Sequence, residues 1–203
     1  MRKFVTIASA CAVLLFSTLA FTQQQIDVAV GGGTLFSTAN KGISEALLPS
    51  PEKGGTYPSV SVNVIPKNHF FKNRIDLNVE TSWRDKRANY YGYEKYRPIL
   101  TDVNALFQQR VNKKAGLDFL GGIGIARTNF YLPSLACDAP SGTCYTSGTH
   151  FMEHLGFGVH YYVWRSFFVR PEAHYYHIQD NQGFNSNSVL RVGASIGYSF
   201  DRH

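Results

Sequence analysis

Arg74, Asp76 and Glu80 alternate with Ile75, Leu77 and Val79, and the same ionic-against-apolar pattern recurs along the chain. Asp102 lies between Thr101 and Val103, and Asp118 between Leu117 and Phe119. Arg170 and Glu172 oppose Val169 and Ala173, and Arg191 opposes Leu190 and Val192. His154, His160 and His174 fall on the ionic parity as well. Carboxylates, guanidiniums and imidazoles on one face admit three kinds of chemistry. They can saturate one another as a salt-bridged plug, line a narrow ion path, or converge on a metal. A metal needs ligands at set distances, and no histidine spacing here forces that, so no metal or other cofactor is expected.

Two further groups have reactive side chains. His177 opens His-Ile-Gln-Asp-Asn, with Ser186 and Ser188 downstream, which could pair a base with a hydroxyl. Cys137 and Cys144 flank Asp-Ala-Pro-Ser-Gly-Thr, a turn-forming run without a nearby histidine or further cysteine. In an exported protein that spacing reads as a local disulfide pinning a loop. Gly122, Gly124, Gly156, Gly158, Gly193 and Gly197 share the ionic parity. They leave room for opposing Arg, His and Tyr side chains. A phosphate loop is a poor account of them, because no helix follows.

These residues must be positioned by strands. Ser188–Phe200 separates into Leu190, Val192, Ala194, Ile196, Tyr198 and Phe200 on one face and Val189, Arg191, Gly193, Ser195, Gly197 and Ser199 on the other. Period-2 alternation puts these two sets on opposite sides of a sheet. Seven earlier stretches repeat the pattern, beginning near Gln25, Ser59, Ile75, Ile99, Gly116, Phe151 and Phe167. Their connections run long, short, long, short, with Pro66-Lys67-Asn68, Asn112-Lys113-Lys114 and Trp164-Arg165-Ser166 as the tight turns. The connection from about Asn129 to Thr149 is read as a long loop. Eight strands with alternating loop lengths predict an all-β, antiparallel up-and-down barrel that crosses a membrane. A soluble lipocalin-type barrel is the alternative, with an apolar cup and a polar exterior. The ionic face is too charged for a dry cup, and the apolar face too greasy for a soluble exterior. At eight strands the interior is narrow, so a plug of Arg74, Asp76, Glu80, Asp102, Asp118, His154, His160, Arg170, Glu172, His174 and Arg191 is expected rather than a wide pore. Aromatics near strand ends, among them Trp83, Tyr90, Tyr91, Tyr93, Tyr96, Tyr131, Trp164, Phe167 and Tyr175, fit interfacial girdles.

Met1-Arg2-Lys3, the apolar run Phe4–Leu19 and the small residues at Ser17–Ala20 predict a cleaved signal peptide over 1–20, leaving a barrel domain over 21–203. The run is short and broken by Thr6, Ser9 and Ser17, which argues against a transmembrane helix; Cys11 leaves with the signal. Without Arg2 and Lys3, 18 of the 20 basic residues face 14 acidic ones, a formal charge of +4. That excess is spread along the chain and gives no basis for nucleic-acid binding. The cations Arg84, Lys86, Arg87, Lys95 and Arg97 sit in one external segment, where they could meet anionic headgroups or an extracellular ligand.

With this signal, strand count and closing Val192-x-Ala194-x-Ile196-x-Tyr198-x-Phe200, the mature chain resembles the small outer-membrane barrels typified by the OmpA membrane domain. The resemblance implies a bacterial outer-membrane location, outer-membrane lipids as surroundings, and Tyr198 and Phe200 as a signal read by the barrel-assembly machinery. Asp201-Arg202-His203 after Phe200 departs from the family pattern. No cell-wall-binding domain follows the barrel, so anchoring is not carried over. A monomer with a structural, adhesive or binding role is expected; a narrow pore or a lipid A deacylase is the alternative. Deacylase barrels use His-x-Ser-Asn near a strand end. Gln179 and Asp180 stand at those positions here, so the nucleophile is missing from its place.

Overall fold

A strand with one apolar and one polar face is stable only where its two sides meet different media, and all the strands of this chain solve that problem in the same way. The computed structural model describes residues 25–37, 54–65, 75–89, 95–133, 143–179 and 186–200. Its strands are β1 (Gln25–Ser37), β2 (Tyr57–Ile65), β3 (Ile75–Trp83), β4 (Ala88–Asn89), β5 (Lys95–Arg110), β6 (Ala115–Pro133), β7 (Thr143–Trp164), β8 (Phe167–Ile178) and β9 (Ser188–Phe200). β4 is a two-residue edge on the start of β5, which leaves eight strands in the ring. Each ring strand pairs antiparallel with its chain neighbour, and β9 returns to β1 over Ile26↔Phe200 to Ser37↔Val189. The ring is closed, so no strand edge faces lipid.

Burial follows the alternation. On β3, Asp76, Asn78 and Glu80 are buried while Ile75, Leu77 and Val79 are exposed. Val30 at 61%, Leu155 at 64% and Ile196 at 62% are among the most exposed apolar residues and lie on the outer face of three different strands. A water-soluble barrel would reverse this arrangement, which removes the lipocalin alternative. From Leu190 to Phe200 every outward residue of β9 is apolar, a span matching the ~9–11 residues a tilted strand needs to cross the hydrocarbon.

Two of the tight turns have visible causes. Asn112 Oδ1 accepts hydrogen bonds from the backbone N–H of Lys114 and Ala115, each 2.8 Å, and so reverses the chain between β5 and β6. Arg165 adopts φ 46° between β7 and β8, next to a register shift at Tyr162 and Trp164. The Pro66-Lys67-Asn68 turn lies outside the described residues, as does the signal segment.

The connection expected from Asn129 to Thr149 is mostly strand. β6 and β7 pair continuously up to Pro133↔Thr143, and β5 starts at Lys95, ahead of the Ile99 expected. Above the membrane both faces of a hairpin meet water, so no alternation is required there and the usual sequence signal fades. The β-favouring Thr, Tyr and Phe residues in this stretch carry the ladder on.

Candidate functional site: a layered lumen and a divided rim

Inward residues of β2, β3, β8 and β9 build a central polar layer around Glu172. Arg170 Nε donates to Glu172 Oε2 at 2.8 Å and Ser195 Oγ to the same oxygen at 3.2 Å. Arg191 Nη2 reaches Glu172 Oε1 at 3.4 Å and also binds Glu80 Oε1 on β3. Arg170 Nη2 crosses to Ser61 on β2 at 3.1 Å. Arg170 and Arg191 are each no more than 2% exposed. Uncompensated charge at that depth would cost several kcal/mol, so the ion pairs are a condition of the fold.

An amide and imidazole ladder adjoins this hub. Asn78 donates to Asn63 and Asn104 to Asn78, both at 2.7 Å, and Asn104 also reaches Asp102. Asn104 Oδ1 contacts His154 Nδ1 at 2.6 Å, and His154 Nε2 contacts His174 Nδ1 at 2.9 Å. His174 Nε2 stands 3.5 Å from Glu172, which joins ladder to hub. The two rings stack at 5.1 Å between centroids, and Tyr176 stacks on His154 at 4.7 Å. Gly122 makes the ladder possible: a Cβ there would collide with Asn104 and with the Val103 carbonyl.

Toward the end bearing the short turns, His160 Nδ1 lies 2.8 Å from Asp118 Oδ1, and Tyr162 shares a 3.2 Å hydrogen bond with Ser199. A cavity of about 40 Å³ lies beside His160 and Tyr162. That is room for one or two waters.

The opposite end of the lumen is dry. Leu35, Tyr57, Leu100, Ala126, Met152, Tyr176, Ile178 and Val189 form one buried cluster across the external end. The sequence pattern implies a polar lumen throughout, and this apolar layer corrects that expectation. These residues come from seven strands, and nothing local to any one strand indicates that they meet.

Of the expected lumen residues, Asp76, Glu80, Asp102, Asp118, His154, His160, Arg170, Glu172, His174 and Arg191 all face inward and are buried. Arg74 lies outside the described residues. Glu80, Glu172 and His174 present ligand atoms within 4.8 Å of one another, a spacing that would suit a cation. Arg191 already bridges both carboxylates, so a guanidinium fills that electrostatic role. Cys137 lies outside the described residues, and the Cys137–Cys144 disulfide with it.

On the rim, Trp164, Phe167, Tyr198 and Phe200 are exposed and in ring contact, Trp164 on Phe167 at 6.0 Å, Phe167 on Tyr198 at 4.9 Å and Tyr198 on Phe200 at 4.8 Å. Tyr96, expected in the girdle, is instead buried at 4% and sits 6.5 Å from Phe130, because it has the inward parity of β5. Tyr90, Tyr91 and Tyr93 lie outside the described residues. His177 is outward and directly opposite both Glu153 and Ser188 in the strand register. The Ser188 hydroxyl pairs with Tyr175 at 3.0 Å, and among the described residues no hydrogen bond joins it to His177.

This geometry defines a class: a closed eight-stranded barrel with an apolar belt and a filled polar interior, which is a small outer-membrane β-barrel. Solved structures of that class superpose on the chain. A major outer membrane protein of Thermus thermophilus matches with TM-score 0.60 at 9% identity, over 87% of this chain and 99% of the other. The attachment invasion locus protein Ail of Yersinia pestis, solved with the heparin analogue sucrose octasulfate, matches at 0.56 and 14%, over 87% and 99%. Neisserial surface protein A matches at 0.56 and 9%, over 88% and 98%. No family model matches the sequence, and no curated protein does. The shared property is the fold, and the apolar belt puts this chain in the outer membrane.

Proposed function

We propose that this protein is a non-enzymatic, non-conducting barrel that acts through its external hairpins, as a structural, adhesive or binding element of the outer membrane. The observation that carries the reading is the sealed lumen, in which a dry apolar layer lies over a cross-braced polar one. Ions would have to shed water to pass the first and displace a paired guanidinium to pass the second. Ail is an attachment invasion locus protein on the same fold, so an external contact role is one such a scaffold can support. Outer-membrane lipids surround the belt, the Tyr198–Phe200 end addresses the barrel-assembly machinery, and the chain acts as a monomer. A rigid interior serves this role by holding the bases of the hairpins in place.

The test is heat-modifiable migration of the detergent-folded chain followed by planar-bilayer recording of the same sample. The expected result is a shifted unheated band without conductance steps. Discrete steps from the folded sample would replace this reading with a narrow pore.

A further inference from the structure

The lumen is shut on its external side, but its other mouth keeps an accessible pocket. Gln108, His160 and Tyr162 make the floor of the cavity at the short-turn end. The same three side chains also roof a second, inner space bounded by Asp27, Asp118 and Arg170. Arg110, Lys113 and Lys114 stand around the outer wall of the pocket and are exposed. Gln108 and Arg110 have the inward parity of β5, since Asn104 and Leu106 on the same strand rows are buried. The pocket therefore opens inside the ring and not onto the lipid face.

Its walls are held in place. The N–H groups of Val111 and Asn112 donate to the Ala115 carbonyl at 3.0 and 3.1 Å, and the Tyr162 N–H donates to the Lys114 carbonyl at 2.7 Å, which ties the turn to β7. His160 is pinned through Nδ1 to Asp118, and Gly116 lets its ring lie against the start of β6, where a Cβ would collide with it. Charge is divided by the floor. Beneath it, Asp118 is paired with His160, and Asp27 accepts a hydrogen bond from Gln25 at 3.0 Å. Above it, no carboxylate of a described residue forms an ion pair with Arg110 or Lys114. Charges of one sign around a cleft with low-dielectric walls focus their field into it.

We infer that this pocket binds a compact phosphate-type dianion on the periplasmic side, either the free ion or the terminal group of a small phosphomonoester. A guanidinium and two ammonium groups supply charge-assisted N–H donors, and phosphate oxygens accept them well. Three cations match a doubly charged group, whereas a lone carboxylate would leave most of their field unmet. The cavity is small, so only the leading oxygens enter it and a bulky ligand is excluded. A lipid is excluded too, because its acyl chains could not reach the outer belt while the headgroup sat inside the ring. The side of the membrane follows from the short turns, which face the periplasm in such barrels. The floor bars passage, so the ion binds at the mouth without crossing.

The test is titration calorimetry of the full mature chain, folded in a nonionic detergent at about pH 8, where phosphate carries close to two charges. Inorganic phosphate, glycerol phosphate and acetate are the probes, at constant ionic strength. Saturable binding of a phosphate probe in the low millimolar range is expected, with acetate at least roughly tenfold weaker. Gln108→Glu keeps the shape of the floor but puts a carboxylate in it, and should weaken phosphate binding at least about tenfold. R110Q/K114Q, which removes two of the three cations, should do the same. Thr149→Glu adds the same charge toward the opposite end and should bind like the intact chain. Should Gln108→Glu lose its heat-modifiable band, R110Q/K114Q decides alone, since both of its side chains are exposed. Binding of both phosphate probes assigns the site to the phosphomonoester group, and binding of inorganic phosphate only assigns it to the free ion. No saturation by either phosphate probe, or equal binding by the intact chain and the pocket variants, overturns the site. Acetate that binds as tightly as phosphate overturns the dianion as its occupant.

Discussion

The two halves of the lumen solve the same packing problem by opposite means. The external layer of Leu35, Tyr57, Leu100, Ala126, Met152, Tyr176, Ile178 and Val189 fills space with shape alone. Its members have few directional demands, and losing one leaves a void bounded by flexible neighbours. The central layer of Glu80, Arg170, Glu172, His174 and Arg191 fills space with charge, and every member depends on a named partner on another strand. Removing one there leaves a buried charge with nowhere to go. The dry layer should therefore degrade gradually under substitution, and the ionic layer abruptly.

The sharpest way to break that contrast is Arg191→Ala. It leaves Glu80 and Glu172 facing each other across a closed lumen, with an expected stability loss of about 3–5 kcal/mol, read from urea unfolding of the folded barrel. The double change E80Q/R191M removes one charge of each sign, leaves Glu172 with Arg170, and should recover most of that loss. Failure of the double to recover any of it would mean that the network contributes through shape rather than charge.

In the apolar layer, Met152→Ala should cost about 2–5 kcal/mol by the same measurement, toward the lower end because neighbouring Leu and Ile side chains can relax into the space. It should open no conductance, because the ionic layer still closes the path. Discrete steps from Met152→Ala alone would assign the seal wholly to the apolar layer.

A smaller effect is expected at Gly122→Ala. The added methyl strikes Asn104 and the Val103 carbonyl, which forces the amide ladder apart at a cost of about 1–3 kcal/mol. Because a β6 glycine is what admits Asn104, the loss should shrink in an Asn104→Ala background, a coupling that a double-mutant cycle measures.

The smallest effect belongs to the rim. Ser188→Ala removes a hydroxyl whose partner is the Tyr175 phenol, and stability should stay within about 0.5 kcal/mol of the parent. Release of fatty acid from outer-leaflet lipid that disappears in this variant would restore the ester-hydrolase alternative through the Glu153, His177 and Ser188 row.

Much of this architecture was legible in the sequence, because the signals that carry it are local. Which side of the sheet Arg191 or Glu172 occupies depends only on parity along its own strand, and Leu190 and Val192 fix that parity within three residues. The strand count and the alternation of connection lengths follow from the same period. The extension of β6 and β7 toward Pro133 and Thr143 was not legible, because a hairpin standing in water needs no alternation. Tyr96 misled for a related reason: its place near a strand end suggested the girdle, but its parity on β5 turns it inward.

By itself the sequence determined the closed eight-stranded form, the lipid-facing belt and the identity of the inward ions, since each follows from a two-residue period read one strand at a time. Only the tertiary structure decided which inward residues share a level. Val189 and Leu100 lie 89 positions apart in the chain and meet in one dry layer. Arg170 and Ser61 meet across the lumen in the polar one. Those meetings depend on strand stagger and tilt around the ring, which are properties of closure and have no counterpart in any single strand.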